Sequence, residues 1–273
     1  MLASALAFSL MGVCVKAVGP RLPVSELVLA RSVVSLVLSL AMLRQAGLSP
    51  WGQRQGLLLV RGLLGSVALY CVFAALTRLP LAAATVIQYL HPTFTALLAW
   101  ALLGERLSWR VLLAAVVGWI GVLLLTDPAG FGAPGAGLPW TGVMLALAGS
   151  LLSALAYVSV RALGRSEHPL VIVFYFPLVG LALSLPLVLL DPVLPNRAEL
   201  GWLLGVGVLT QLGQLALTRG LLGLPAGRAT AVSYVQVPLA ALWGLLWFGE
   251  SLDPDILAAA GLVLGATLLS LGP

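Results

Sequence analysis

"ALTRLPLAAATVIQYLHPTFTALLAWALLGERLS", residues 75–108, returns later as "ALTRGLLGLPAGRATAVSYVQVPLAALWGLLWFGESLD", residues 216–253. Both copies open on the same four letters, hold a proline beside polar residues half-way along, and close on Gly-Glu. Glu105 and Glu250 stand 145 residues apart (250 − 105). The same offset pairs Pro80 with Pro225, Thr85 with Thr230, Tyr89 with Tyr234, Lys16 with Arg161 and Ser108 with Asp253. Ser108 and Asp253 are natural N-caps for a following helix, and Pro254 suits its first turn. Because the matches fall on Pro, Thr, Tyr and Glu, an internal duplication explains them better than chance similarity between Leu/Ala-rich runs.

Composition says what surrounds the two copies. The chain has 273 residues, 61% hydrophobic and 8% charged, with a mean hydropathy of +1.10. Soluble domains run near 25% charged, and a soluble core of this length could not hide so much apolar surface. The solvent must be a lipid bilayer, which a helix of about 20 apolar residues can span. Ten apolar segments are expected, at about 2–18, 24–43, 56–77, 81–103, 108–126, 139–161, 169–190, 199–218, 226–249 and 254–271. The first 19 residues carry no basic residue ahead of their apolar run and no clean cleavage pattern, so they read as a first span. The formal charge of +5 comes from basic residues lying between apolar runs, without an aromatic-laced patch. That excludes nucleic acid as the natural partner. Ten spans put both termini on one face, whose loops carry eight basic residues: Arg44, Arg54, Arg106, Arg110, Arg161, Arg165, Arg219 and Arg228. The opposite loops carry four: Lys16, Arg21, Arg78 and Arg197. By the positive-inside rule both termini are expected in the cytoplasm.

Two five-span halves must insert in opposite orientations, because each has an odd number of spans. The expected organisation is a first repeat over 1–127, a Gly/Pro-rich connector over 128–138 and a second repeat over 139–273. Inverted repeats are a common architecture of secondary transporters, with the substrate site near the midplane where the repeats meet.

On the strength of "ALTRLPLAAATVIQYLHPTFTALLAWALLGERLS" and its second copy, the chain resembles the drug/metabolite transporter superfamily, EamA type. A small-residue helix start, a mid-helix proline and a terminal Gly-Glu recur in that family, and Arg31 in "LVLARSVVSLVL" resembles the arginine often found in its second span. The resemblance implies an all-α membrane protein of ten transmembrane helices in two inverted five-helix repeats. It also implies a metabolite carrier, often an exporter. Pro92 lies 13 residues before Glu105 (105 − 92) and Pro238 lies 12 before Glu250 (250 − 238), so the two prolines are not in strict register.

Candidate site residues follow from polar side chains placed at membrane depth. Thr85, Gln88, His91 and Thr95 share one broad helical face, and Thr230, Ser233 and Gln236 repeat the first three positions. His91 and Gln236 each fall about 15 Å into their spans at about 1.5 Å per residue, close to the midplane of a core about 30 Å thick. Such a face should line the bundle interior or a wet cavity rather than meet lipid. Pro92 and Pro238 are the expected helix kinks, each freeing a carbonyl one turn back. Gln211, Gln214 and Thr218 form a second stripe, Ser150, Ser153 and Tyr157 a third, and Tyr70 is offered by span three. Helix–helix hydrogen bonding competes with cargo contact at each of these stripes. Gly62, Gly65, Gly118 and Gly121 read as close-packing positions. Arg31 and Arg61 are expected to snorkel to the nearer interface, with attraction of a carboxylate substrate as the alternative. Glu105 and Glu250 are expected in helix-end or interfacial ion pairs, and Trp51, Trp109, Trp140 and Trp202 form an aromatic belt.

These features favour a secondary transporter of small metabolites or amphipathic compounds, an exporter, amino acids among its possible cargoes. It would work by alternating access through a cavity between the repeats. An intramembrane enzyme would need paired midplane carboxylates, a metal motif or a nucleophile triad, and a channel a charged ring or filter. None is visible, and no phosphate-binding loop suggests ATP chemistry. Cys14 and Cys71 lack ligand spacing and read as apolar fillers. No catalytic residue, metal or cofactor is expected. The partners are a small-molecule substrate and the bilayer of a bacterial inner membrane, with protons as a possible coupling ion through His91. Monomer and homodimer stay equally open.

Overall fold

The computed structural model describes residues 1–104, 138–223 and 235–250, with isolated positions within 109–120 and 254–265. Among the described residues there are nine helices: α1 (Leu2–Val18), α2 (Val24–Gln45), α3 (Gln55–Leu76), α4 (Leu81–Gln88), α5 (His91–Leu103), α6 (Trp140–Leu163), α7 (Pro169–Leu190), α8 (Arg197–Gly223) and α9 (Gln236–Phe248). Six stretches are long and apolar enough to cross a membrane, one of them Leu81–Leu103 with its two helices taken together. Leu2–Val18 and Gln236–Phe248 are shorter apolar helices. The fifth and tenth expected spans fall largely outside the described residues.

Punctuation in the sequence sets the helix ends. Pro23, Pro80 and Pro139 precede α2, α4 and α6, and Pro169 opens α7, where a missing N–H costs nothing. Both α5 and α9 end on a left-handed glycine, Gly104 at φ +68° and Gly249 at φ +60°. A side chain at either position would be strained, which accounts for the glycine in both Gly-Glu endings.

The duplication is visible as matching helix limits. Shifting α2 by 145 residues gives the limits of α7 (169 − 24 and 190 − 45), and the same shift carries α5 onto α9 (236 − 91 and 248 − 103). Packing obeys the same exchange. α1 packs on α8 while α6 packs on α3, and the mates α2 and α7 pack on each other; α4, the first half of span four, packs on α9. The α2–α7 pair is antiparallel. Glu26 near the start of α2 accepts a 3.0 Å hydrogen bond from Val193 N beyond the end of α7, and Ser32 lies against Gly180 further along. Repeat-related helices inserted in opposite orientations must run this way.

Polarity is arranged for lipid. Val37, Leu59, Leu189, Leu190, Leu204 and Leu246 are exposed on the outside, whereas Ser4, Ser32, Ser35, Ser66, Thr210 and Gln211 are buried inside. Small residues let the helices approach. A Cβ at Gly213 would stand 2.7 Å from the Phe8 ring, and one at Gly207 would stand 2.4 Å from Val34. Ser4 Oγ donates to Gly213 O at 3.0 Å across the same α1–α8 seam. Trp51, Trp140 and Trp202 are exposed near helix starts, where an amphipathic ring suits the lipid–water boundary.

Span four differs from one bent helix. The chain breaks at Tyr89–Leu90, and Pro92 stands in the first turn of a new helix, α5. Proline has no N–H to offer the Gln88 carbonyl four residues back. His91 takes up that carbonyl instead, its Nδ1 lying 2.9 Å from Gln88 O. A carbonyl only accepts, so Nδ1 carries the proton and Nε2 is the free ring nitrogen. The adjacent histidine and proline are therefore one device: the second residue opens the helix, and the first satisfies the group left over.

Candidate functional site

The break places a set of polar side chains around a central cavity. Its lining comes from both halves of the chain: Arg61 on α3, Gln88 and His91 at the α4–α5 break, Ser153 and Tyr157 on α6, Gln214 on α8 and Gln236 on α9. Phe8, Met11, Leu69, Val72 and Phe176 supply the apolar wall. The space open to the centre of a water-sized molecule is about 110 Å³, several times the roughly 10–15 Å³ that one water needs on this measure. A smaller hollow of about 40 Å³ on the same measure shares Gln88 and Gln236 with it and adds Thr85, Leu76 and Leu81.

Hydrogen bonds fix the polar wall. Gln88 Nε2 donates to Ser153 Oγ at 3.2 Å, tying α4 to α6. Tyr89 Oη donates to Gln236 Oε1 at 2.6 Å, tying the break to α9. The His91 ring sits edge-on to Tyr157, with centroids 5.2 Å apart, and tilted against Tyr89 at 5.0 Å. One imidazole thus shares a pocket with two phenols and three carboxamides.

Of the residues expected from the sequence, Gln88, His91, Ser153, Tyr157, Gln214 and Gln236 line the cavity, and Thr85 lines the smaller hollow. Others are placed elsewhere. Thr95 is fully buried and donates to His91 O at 2.7 Å within its own helix. Gln211 donates to Ser39 Oγ at 2.9 Å, so it joins α8 to α2 as the helix-packing alternative required. Tyr70, Ser150 and Thr218 are not part of either lining. Thr230 and Ser233 lie outside the described residues, as do Glu105, Gly118 and Gly121. Pro238 falls in the first turn of α9.

The two arginines overturn the snorkelling expectation. Arg31 and Arg61 are each only 1% exposed, buried in the bundle rather than extended to an interface. Both lie over the ring of Phe176, with guanidinium carbons 3.9 and 4.6 Å from its centroid. A desolvated cation–π contact of this kind contributes about 2 kcal/mol, which helps explain why the side chains fold inward. The available signal was a pair of arginines well inside apolar spans. What the sequence could not supply was the aromatic ring on α7 that receives them. Tyr89 and Thr210 are further lining residues that the stripes missed.

At the edge of the smaller hollow, Glu250 forms an ion pair with Lys16, and its carboxylate accepts from Leu81 N at 2.8 Å. Lys16 Nζ donates to Leu79 O at 2.8 Å. The glutamate of the second Gly-Glu thus caps α4 and clasps the end of α1 in one contact, fulfilling the ion-pair expectation.

A polar cavity closed by helix ends suits passage of a solute. The EamA-like transporter family matches this chain twice, over residues 1–127 and 140–272. The chain belongs to that family. Among its EamA relatives, the pseudopaline exporter CntI of Pseudomonas aeruginosa is 34% identical over 94% of this chain and 88% of its own length. Human solute carrier family 35 member G1 is 29% identical over 74% of this chain and 58% of its own. A solved crystal structure superposes with a TM-score of 0.68, covering 98% of this chain and 96% of that one. At 20% identity it speaks to the fold alone. The protein is therefore an integral membrane transporter of small molecules, and family and relatives point away from an enzyme.

Proposed function

We propose that this EamA protein is a secondary exporter of small amphipathic metabolites, amino acids among them, working by alternating access. The observation that carries the proposal is the cavity itself, lined by both polar and apolar side chains on helices from both halves of the chain. The repeats are residues 1–127 and 139–273, joined by 128–138, and rocking one against the other would open the cavity first to one face and then to the other. Both termini lie in the cytoplasm of a bacterial inner membrane, which the eight-to-four distribution of basic residues supports. The Lys16–Glu250 clasp then closes the periplasmic side. His91 is the candidate coupling group: it lines a cavity whose hydration would change with state, so it can load a proton in one state and release it in the other.

Counterflow in proteoliposomes tests the proposal, with a panel of labelled amino acids as probes. A carrier accelerates tracer entry when unlabelled compound is inside, and the rate saturates. Linear flux without acceleration would favour a pore. No flux for the whole panel would remove amino acids from the cargo.

A further inference from the structure

Arg61 brings a guanidinium to the cavity wall without a counter-ion. Only Nη2 has a partner, Gln214 Oε1 at 3.3 Å, and its Nε and Nη1 are buried with none. Nε and Nη1 of Arg31, over the same Phe176 ring, are also without partners. No carboxylate among the described residues is placed to neutralise either one. Glu26, Glu167 and Glu199 are engaged at helix ends, Glu250 holds Lys16, and Asp191 is exposed after α7. The remaining acids, Glu105, Asp127, Asp253 and Asp255, fall at span ends or in loops of the sequence.

The local backbone makes room for this charge. A Cβ at Gly65 would stand 2.3 Å from Arg61 Nη1 and 3.1 Å from Phe176. The guanidinium thus fills the place where a side chain of the next turn would be. An unpaired cation at membrane depth is costly, and such groups mark the path of a charged solute. We propose that the cavity takes an organic anion, whose carboxylate seats on Arg61 while its apolar body lies against Met11, Leu69 and Val72. This rests on the carrier reading and names its cargo by charge. Met11, Leu69 and Val72 add apolar lining to the same cavity, so a carboxylate with an attached hydrocarbon body fits better than a small inorganic anion.

The test uses the full-length protein with Cys14→Ala and Cys71→Ala, carrying Ser153→Cys as a reporter thiol in the cavity. Its labelling by a polar maleimide is followed with N-acetylphenylalanine or its uncharged amide, and with benzoate or benzamide. Chloride serves as the inorganic arm. A charge-assisted hydrogen bond contributes about 1.5–3 kcal/mol, so each acid should protect at a concentration roughly tenfold or more below its amide. Chloride should not protect. Arg61→Gln should abolish the difference, and Arg61→Lys should keep part of it. The acid–amide comparison in the Arg61 protein needs no change at that residue, so a misfolded variant leaves the test intact. Equal protection by acid and amide, or by chloride, or by neither pair while the thiol still labels, overturns the anion site and leaves the carrier standing. A thiol that never labels overturns both.

Discussion

Tyr89 Oη hydrogen-bonds Gln236 Oε1 at 2.6 Å, joining the break in span four to the start of α9. By the 145-residue offset, Gln236 is the partner position of His91. The bond therefore crosses from one copy of the repeated segment to the other, and Tyr89 stands between a titratable ring and its non-titratable counterpart. Any proton chemistry here is confined to one copy.

Replacing Tyr89 by Phe removes that bond and keeps the ring contact with His91. A net loss of about 0.5–1.5 kcal/mol is expected, read as a lower unfolding temperature in detergent. The transport rate should change with it, because the bond links the two helices that must part. An unchanged unfolding temperature and rate would show the contact to be incidental.

The glycines of the α1–α8 and α2–α8 seams give a graded series. Gly213→Ala meets the Phe8 ring and Gly207→Ala meets Val34, whereas Gly201 has nothing within 4 Å of an added Cβ. Folded yield, measured by size-exclusion chromatography, should fall for the first two substitutions and hold for Gly201→Ala. Equal yields would mean that the seams are looser than described.

Much of this was legible beforehand because membranes restrict the choices. The alternation of apolar runs with Gly-, Pro- and charge-bearing breaks located α1, α2 and α7, and the offset of Glu105 and Glu250 located the duplication. The polar stripes found six cavity residues. They failed where a hydroxyl or amide had a nearer partner, as Thr95 has in His91 O and Gln211 in Ser39. Periodicity reports which face a residue occupies, not whether its hydrogen bonds are already made. Arg61 was misplaced for the opposite reason: charge alone suggested the interface, and the ring that holds it belongs to a helix distant in sequence.

His91→Gln copies the residue found at the partner position in α9. Counterflow should persist, and transport driven by a pH gradient should be lost. Gradient-driven transport at the original rate would reduce His91 to a hydrogen-bonding group that satisfies Gln88 O. A reporter active only in the periplasm, fused after Pro273, should stay silent with the C-terminus in the cytoplasm, and a signal would reverse the proposed orientation.

The central claim is that one cavity opens to each face in turn, with Lys16–Glu250 closing one side. In protein lacking Cys14 and Cys71, a thiol introduced by Gln88→Cys should react with an impermeant reagent supplied from either face, while Leu242→Cys on the exposed face should not. Joining positions 16 and 250 through Lys16→Cys and Glu250→Cys, by a disulfide, should stop labelling of the Gln88→Cys thiol from the periplasm and leave labelling from the cytoplasm unchanged. Labelling from the periplasm that survives the disulfide would contradict the account.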